Sequence, residues 1–411
     1  MIKREIYTKL LNGFFYFGSS IVALLFSLFT FPIYSSYLSV EDFGLIGYFA
    51  SLASFIAPLF NLSLSNFYLM KFFKQNEEQN KKDLFNIIFY LSINNVIISV
   101  LFMFIGYYYF NLTNVSYPFF PFFILMLGTA FFEPYKMFLL QQYRIRKQGF
   151  MFFLFSALAP IVNAFFSLLL IIVFDLGVFG RMAGMTLSAF VLGVVFIIFL
   201  RKFVKPNFSF NDFIGKLKSM IPMIIAGYAY IPIETIDRLF LEKLKMPKEF
   251  GLYSIGLQLS GFFLMAATAL FKAFEPNIFQ AVINKDKIKL IKEIKQYYIV
   301  LVIGFIIFFS MLEPMVNILT KGKFIDALPY VRYLSVAKFI SAISLVLSAI
   351  LLAKQRIKHS SYVVYIVSLS SILLYYFSIN EYQYNCVILS RILVPLINIL
   401  ALIFFINKKN K

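Results

Sequence analysis

The chain has 411 residues, of which 61% are hydrophobic and 14% are charged. Soluble globular domains carry about 25% charged residues, so this composition excludes a soluble globular protein. The single Cys386 excludes an internal disulfide and a cysteine metal cluster. The net charge of +19 does not indicate nucleic-acid binding, because the basic residues are dispersed between apolar stretches, where they act as topology signals.

The apolar stretches predict an all-α polytopic membrane protein, because a helix needs about 20 apolar residues to cross a bilayer. The first stretch, Leu10 to Leu38, is longer than the apolar core of a signal peptide, roughly 7–15 residues, so we expect an uncleaved first span. No gap between stretches is long enough for a soluble domain. The twelve predicted spans are 10–38, 43–70, 84–110, 118–141, 150–174, 177–200, 219–241, 251–277, 297–319, 330–353, 360–379 and 385–406.

The distribution of Lys and Arg predicts the topology. The two termini and the even-numbered gaps between spans together hold 26 of these residues. The odd-numbered gaps, counted with the adjoining ends of the spans, hold seven. Cytoplasmic loops carry the excess of Lys and Arg in membrane proteins. Both termini are therefore predicted to be cytoplasmic, and the even number of spans that this requires agrees with twelve.

Two short echoes in the sequence predict an internal repeat. Asp42-Phe43-Gly44-Leu45, before the second span, matches Glu249-Phe250-Gly251-Leu252, before the eighth. Arg144-Ile145-Arg146 and Arg356-Ile357-Lys358 likewise follow the fourth and tenth spans. Spans 1–6 should therefore resemble spans 7–12, and because six is even, both halves cross the membrane in the same direction. The expected architecture has a pseudo-two-fold axis along the membrane normal.

The same turns carry a family resemblance. The segment "FPIYSSYLSVEDFGLIGYFASL" (31–52) resembles the first-to-second-span signature of polysaccharide flippases of the MATE-like (multidrug/oligosaccharidyl-lipid/polysaccharide) superfamily. The segment "IETIDRLFLEKLKMPKEFGLYSIGLQL" (233–259) resembles the seventh-to-eighth-span signature. Length and span number are similar to those of Wzx-type O-antigen flippases. One departure is "NLSLSNF" (61–67), where the family often has a Gly-Leu pair.

The resemblance implies two six-helix lobes, residues 1–205 and 206–411, around a central cavity. It implies a transporter of the bacterial inner membrane rather than an enzyme. Such a flippase moves an undecaprenyl-diphosphate-linked oligosaccharide repeat unit from the inner to the outer leaflet by ion-coupled alternating access, for O-antigen or other surface polysaccharide. No cofactor is expected beyond a coupling H⁺ or Na⁺, and the expected partners are a polysaccharide polymerase and a chain-length regulator.

Five basic residues inside the predicted spans are not assigned to any gap or adjoining span end, and they are candidate substrate-binding residues. Each costs roughly 2.5–3.5 kcal/mol at a helix centre, and all five about 15 kcal/mol, so we expect them to line a wet cavity, pair with acids or reach an interface. The five are Lys136, Arg238, Lys272, Lys338 and Arg391. Lys338 and Arg391 lie far from an interface and have no acid at helical spacing, so they are the favoured contacts for a diphosphate or a sugar acid.

Four acids near these residues are candidates for binding the coupling ion. They are Glu133, Glu234, Asp237 and Glu275, of which Glu133 is favoured. A structural role stays open as the alternative. Three acid–base couples stand at helical spacing, and the acid and the base of each couple would neutralise each other. These couples are Glu133–Lys136, Glu234–Arg238 and Lys272–Glu275.

Three other functions compete with the flippase. A multidrug exporter of the same fold would favour an acidic cavity for cationic drugs, whereas the unpaired charges in the spans are basic. An integral-membrane polymerase usually needs a large outer loop, which is missing, and acyl transfer would need a buried histidine, whereas His359 is predicted in a cytoplasmic loop. A peptidoglycan-precursor flippase typically has fourteen spans.

Overall fold

The chain is built from helices, and their bounds follow the apolar stretches. The computed structural model describes residues 2–408, together with the side chains of all of these except 2–14, 16, 17, 357 and 379–386. The α-helices are α1 Ile2–Tyr37, α2 Val40–Asn61, α3 Leu64–Phe72, α4 Glu77–Thr113, α5 Phe122–Ile145, α6 Gly149–Leu168, α7 Gly177–Leu200, α8 Phe210–Glu234, α9 Ile236–Glu242, α10 Pro247–Ile283, α11 Lys287–Ser310, α12 Leu312–Thr320, α13 Leu328–Ala353 and α14 Ile357–Asn407. Short 3-10 turns at Arg201–Phe203 and Ile325–Ala327 and a π turn at Leu169–Val173 complete the described elements.

The predicted all-α polytopic fold is confirmed. By length and composition, eleven helical segments in the described part of the chain can cross a membrane, and the bent pair α8 and α9 raises the number to twelve. Each of these segments falls on one of the twelve predicted spans. The agreement has a physical reason, since a chain inside a bilayer must satisfy its backbone hydrogen bonds internally and long apolar segments can do so only as helices.

Two predicted spans, in addition to the seventh with its bent pair α8 and α9, are broken rather than continuous. The predicted span 43–70 divides into α2 and α3, because Leu62 and Ser63 adopt left-handed backbone conformations with φ of 50° and 52°. The predicted span 297–319 divides into α11 and α12 at Met311. Hydropathy does not detect such breaks, because the residues on both sides are equally apolar.

Helix α14 folds back on itself. A straight helix of 51 residues would be roughly 76 Å long. Instead Arg356, next to its start, donates from Nη1 to the carbonyl oxygen of Phe405 near its end, at 2.9 Å. The hydroxyls of Ser378 and Ser390 are also hydrogen-bonded to each other. The two arms, Lys358–Ser378 and Val387–Asn407, therefore run antiparallel and account for the last two predicted spans.

The chain groups into two compact units. Unit 1 contains Met1–Ser27 and Phe49–Tyr228, and unit 2 contains Leu28–Tyr48 and Ala229–Lys411. The core of unit 1 is rich in aromatic side chains, with Tyr68 and Phe138 fully buried in it. In unit 2, Tyr297 is fully buried among α10, α11 and α13, and its hydroxyl donates to the carbonyl of Ala342. The repeat boundary at residue 205 remains a prediction, because a division into compact units does not show whether the two halves have similar structures.

The segment Leu28–Tyr48 is anchored inside unit 2 by the end of α1. The ammonium of Lys323 donates to the carbonyl oxygens of Ser35 and Leu38, at 3.3 and 2.8 Å. A cation at this position is favourable, because the last carbonyls of a helix lack intrahelical partners and carry partial negative charge. The hydroxyl of Ser35 in turn donates to the carbonyl of Leu319 at 2.9 Å.

The two predicted repeat turns contact each other within unit 2. A Cβ atom on Gly47 would lie 2.6 Å from the hydroxyl of Ser254, and one on Gly251 would lie 2.0 Å from the carbonyl oxygen of Val40. Gly47 and Ser254 are 207 residues apart, the same offset that separates Asp42-Phe43-Gly44-Leu45 from Glu249-Phe250-Gly251-Leu252.

Candidate functional site

The candidate site of unit 2 lies at the break between α8 and α9. The two helices are bent by 53°, and Thr235 between them has φ −138° and ψ −14°, outside helical values. Pro232 precedes the break and has no backbone N–H to give to the preceding turn. The C-terminal end of α8 therefore presents carbonyl groups that need donors from elsewhere in the protein.

Arg391, on the second arm of α14, supplies those donors. Its Nη1 donates to the carbonyl oxygen of Ile233 at 2.6 Å, and its Nη2 to that of Glu234 at 3.0 Å. The guanidinium also lies 3.6 Å from the carboxylate of Glu234 and 3.8 Å from that of Asp237. Arg391 is 6% exposed, so these contacts form largely out of water. They are charge-assisted hydrogen bonds and ion pairs, the stronger class of polar contact.

Asp237 is the most deeply buried acid of the site. It is 0% exposed and accepts a short hydrogen bond from the hydroxyl of Tyr253. Its other carboxylate oxygen, Oδ1, has no hydrogen-bond partner among the described residues. Arg238, the next residue, donates weakly to the carbonyl of Gly47 at 3.4 Å. Two acids and two arginines thus meet at the helix break and balance one another in charge.

A cavity of about 270 Å³ opens beside this cluster. Arg391, Glu234 and Lys338 line it, and so do uncharged polar side chains that the sequence analysis did not single out. These are Thr268, Ser341, Ser344 and Asn398, and they are joined by Tyr230, an aromatic residue of the seventh predicted span that is a candidate for stacking on a sugar. Polar residues inside apolar spans were the available signal for them, since such residues normally face a cavity or a neighbouring helix rather than lipid.

Lys338 differs from Arg391 in its surroundings. It projects from α13 into the cavity, and no described side chain forms a hydrogen bond or an ion pair with it. The prediction that it lacks an acid partner therefore holds within the part of the chain described here. Arg391 likewise has no acid at helical spacing, as predicted, but it is paired with acids of other helices. Its acids come from α8 and α9, and spacing along its own helix could not reveal them.

The three predicted couples have different outcomes. Glu133 and Lys136 form an ion pair at 2.6 Å, as predicted. The Glu234–Arg238 couple is wrong, because the break at Thr235 destroys the four-residue helical register between them. The Glu234 carboxylate instead faces Arg391. No ion pair joins Lys272 to Glu275, although both side chains are described.

Unit 1 holds a smaller polar pocket of about 110 Å³. Thr129, Glu133, Lys136, Asn163 and Ser188 contribute its polar lining. Asn163 also accepts a hydrogen bond from Arg181 at 2.9 Å. Arg181 lies near the start of α7 and binds α6, a contact that the sequence pattern does not reveal.

Comparison with known proteins shows the fold. No protein-family model and no curated protein matches the sequence. Solved structures that match include the lipid II flippase MurJ in an inward closed conformation. Its TM-score is 0.75 at 16% identity, covering 97% of this chain and 88% of that chain.

Transporters of the MATE type also match. For the Vibrio cholerae MATE transporter VcmN in its bent form, the TM-score is 0.56 at 13% identity, covering 97% of this chain and 98% of that chain. For the eukaryotic MATE transporter AtDTX14, it is 0.59 at 14% identity, covering 97% and 94%. This chain has the helical membrane fold that the lipid II flippase MurJ shares with the MATE transporters.

Proposed function

We propose that the protein is a flippase of the MATE-like superfamily that carries an undecaprenyl-diphosphate-linked oligosaccharide from the inner to the outer leaflet of the bacterial inner membrane. The observation that carries this proposal is the cavity of unit 2, where Lys338 and Arg391 lie among membrane-spanning helices. The fold is shared with the lipid II flippase MurJ, which supports a lipid-linked substrate.

Lys338 is the proposed contact for the diphosphate. A basic side chain at membrane depth costs roughly 2.5–3.5 kcal/mol, and such residues mark substrate pathways when they have no structural pairing. Lys338 has no acid partner among the described residues, so its charge is available to an anionic group entering the cavity. Arg391 lines the same cavity, but its hydrogen bonds are directed at α8 and its charge is balanced by Glu234 and Asp237.

Uncharged polar groups of the same cavity are the proposed contacts for sugar hydroxyls. Thr268, Ser341, Ser344 and Asn398 offer donors and acceptors, and Tyr230 offers a ring that is 54% exposed. The roles first expected of Lys136, Arg238 and Lys272 receive less support from their surroundings. Lys136 is paired with Glu133, and Arg238 lies within the charge cluster at the helix break.

Glu133 remains the proposed acid for coupling to H⁺ or Na⁺. It lines the pocket of unit 1, and its side chain is 54% exposed, so an ion can reach it. Its pair with Lys136 is partly exposed, whereas Glu234 and Asp237 are less suited because Arg391 holds them in the charge cluster at the helix break. Nothing in the surroundings of Glu275 supports a coupling role.

The proposed function implies a place in surface-polysaccharide synthesis, with O-antigen as one product class. A polymerase and a chain-length regulator acting on the outer leaflet would be the partners. In this proposal the protein transports its substrate without chemical change, so it is not an enzyme.

Substituting Lys338 tests the proposal, with Arg332 of the same helix as the matched control. Arg332 is an exposed residue whose ion pair with Glu313 lies at the surface. We expect Lys338→Gln to reduce surface glycan at least tenfold in a complemented deletion strain, and Arg332→Gln to leave it unchanged. Membrane levels of both variants should equal those of the parent. Normal glycan with Lys338→Gln would contradict the proposal.

A multidrug exporter is the second candidate, and the shared fold with the MATE transporters favours it. The two functions predict opposite cargo charges. Vesicles containing the purified protein should bind or move a fluorescent lipid diphosphate and ignore a cationic dye if the flippase proposal holds. Lys338-independent efflux of a cationic dye would instead support the exporter.

A further inference from the structure

We propose that the break between α8 and α9 is a monovalent-cation site whose resident occupant is the side chain of Arg391. The break presents two carbonyl oxygens and two carboxylates to one region of unit 2. Ligands of these two kinds bind small cations in transporters, where half-helix C-terminal ends and unwound carbonyls face the coupling ion. Here a guanidinium tethered to α14 takes that position.

The hydrogen-bond geometry supports a built site rather than a chance approach. Both terminal nitrogens of Arg391 donate to consecutive carbonyls, those of Ile233 and Glu234, at 2.6 and 3.0 Å. The planar guanidinium has donors in a fixed fork, so it can satisfy two adjacent acceptors at once, which a lysine ammonium does less well. Tyr375 places its hydroxyl 3.5 Å from the same Nη1.

The charge balance supports the same inference. Glu234 and Asp237 contribute two negative charges, and Arg391 and Arg238 contribute two positive charges. A free Na⁺ added to this neutral cluster would leave an uncompensated positive charge in a buried place, which is strongly unfavourable. Removing the Arg391 charge alone would create the opposite imbalance. It would also remove the Arg391 donor from the carbonyl of Ile233 and leave that of Glu234 with only a long hydrogen bond from Arg238, at 3.5 Å.

One consequence is that the wild-type protein should bind no soluble cation at the break, while a variant without the guanidinium should. The inference concerns what holds the broken helix together, so it goes beyond the proposed transport of a lipid-linked glycan. It is tested by thermal unfolding, which is independent of any transported substrate.

The experiment measures the unfolding midpoint of the full-length protein in detergent. Wild type and the Arg391→Ala variant are each heated with millimolar guanidinium chloride, sodium chloride or choline chloride at equal ionic strength. We expect Arg391→Ala to unfold several degrees below wild type. Guanidinium should restore at least half of that loss relative to choline, because it can occupy the vacated position. Wild type should show no difference between the three salts.

Lys338→Ala is the matched control, since it removes a cation from the same cavity that makes no carbonyl contact. Its midpoint should not respond to guanidinium. Should Arg391→Ala fail to fold, Arg391→Lys provides the measurement, because it keeps one charge but loses the fork, and it should unfold below wild type.

The inference is supported if guanidinium raises the unfolding midpoint of Arg391→Ala relative to choline, whether or not Na⁺ also raises it. Three results would overturn it. They are a wild-type midpoint for Arg391→Ala, an absence of any salt-specific restoration, and an equal shift in wild type. If only Arg391→Lys can be measured, an unfolding midpoint equal to that of wild type would also overturn the inference.

Discussion

Leu62 and Ser63 hold a backbone conformation that is unusual for residues with side chains. Their φ values of 50° and 52° lie in the left-handed region, which costs roughly 1–2 kcal/mol per L-residue. These two residues end α2 and lead into α3, and the carbonyl of Ser63 accepts from the amide of Asn66 at 3.0 Å. The strain is therefore held in place by the helices on both sides.

Replacing Ser63 with glycine should relieve that strain. Glycine adopts positive φ without a Cβ clash, and part of the gain is offset by its larger freedom in the unfolded chain. We expect Ser63→Gly to stabilise the fold by up to about 1 kcal/mol. Ser63→Ala serves as the control, because it keeps the Cβ and the strain. The unfolding midpoints should rank glycine above serine and alanine, and a glycine variant below the alanine variant would refute the account.

Individual charged residues show where sequence reasoning stops. Lys216 was counted as a loop residue, yet it lies in α8 at 4% exposure, 3.1 Å from Asp83 and 2.6 Å from Asp212. Counting cations gives the side of the membrane but not the depth of burial. A buried pair between residues more than a hundred positions apart leaves no periodic pattern, and the same holds for Arg391 with Asp237.

At the scale of elements, the positions of the spans could be predicted and their breaks could not. Apolar length is enough to place a membrane helix, because the bilayer imposes it. The break at Thr235 depends on a distant donor, Arg391, that satisfies the freed carbonyls. It also invalidated the Glu234–Arg238 couple, which assumed a continuous helix. The sequence thus predicted the charged residues of the candidate site, but their hydrogen-bond and ion-pair partners are visible only in the tertiary structure.

The packing of α2 against α10 depends on small residues. Gly251 approaches the carbonyl of Val40 so closely that any Cβ would overlap a backbone atom, which cannot move aside like a flexible side chain. Gly261, on the same helix, has open space around its Cβ position. Substitutions at Gly251 and Gly261 therefore separate the effect of close packing from the effect of helix propensity.

We expect Gly251→Ala to reduce the amount of folded protein sharply, since α10 would have to move away from α2. Gly261→Ala should be neutral or stabilise by up to about 1 kcal/mol, because alanine is the better helix former. Size-exclusion chromatography of detergent extracts, followed by thermal unfolding, measures both. Equal behaviour of the two variants would mean that the Gly251 contact does not matter for the fold.

At the scale of the whole molecule, unit 1 brings three of the basic gaps to one end of its helices. Arg146, after α5, pairs with Glu77 at the start of α4, at 3.1 Å. Lys205, after α7, pairs with Glu78 at 2.7 Å. The second, fourth and sixth gaps of the sequence therefore meet on the same side, which is what the alternation of Lys and Arg predicted.

Unit 2 shows the same alternation. Arg356, in the tenth gap, donates to the carbonyls of Phe405 and Lys408 near the C-terminus, so these two basic segments share one end. Lys323, in the ninth gap, instead binds the carbonyl of Leu38 in the first gap. Within each unit, even-numbered gaps thus lie beside even-numbered gaps, and odd-numbered gaps beside odd-numbered gaps. For each unit one binary question is left, namely which of its two ends faces the cytoplasm.

Single cysteines answer it, since the native Cys386 can be replaced by alanine to give a clean background. Gln148→Cys and Asn284→Cys lie in basic gaps, whereas Ser116→Cys and Lys321→Cys lie in the alternate gaps, and all four positions are exposed. Cytoplasmic basic loops predict that an impermeant maleimide labels Ser116→Cys and Lys321→Cys in intact spheroplasts, and labels Gln148→Cys and Asn284→Cys only after permeabilisation. The reverse pattern would invert the topology and, with it, the direction in which the proposed flippase presents its cavity to the substrate.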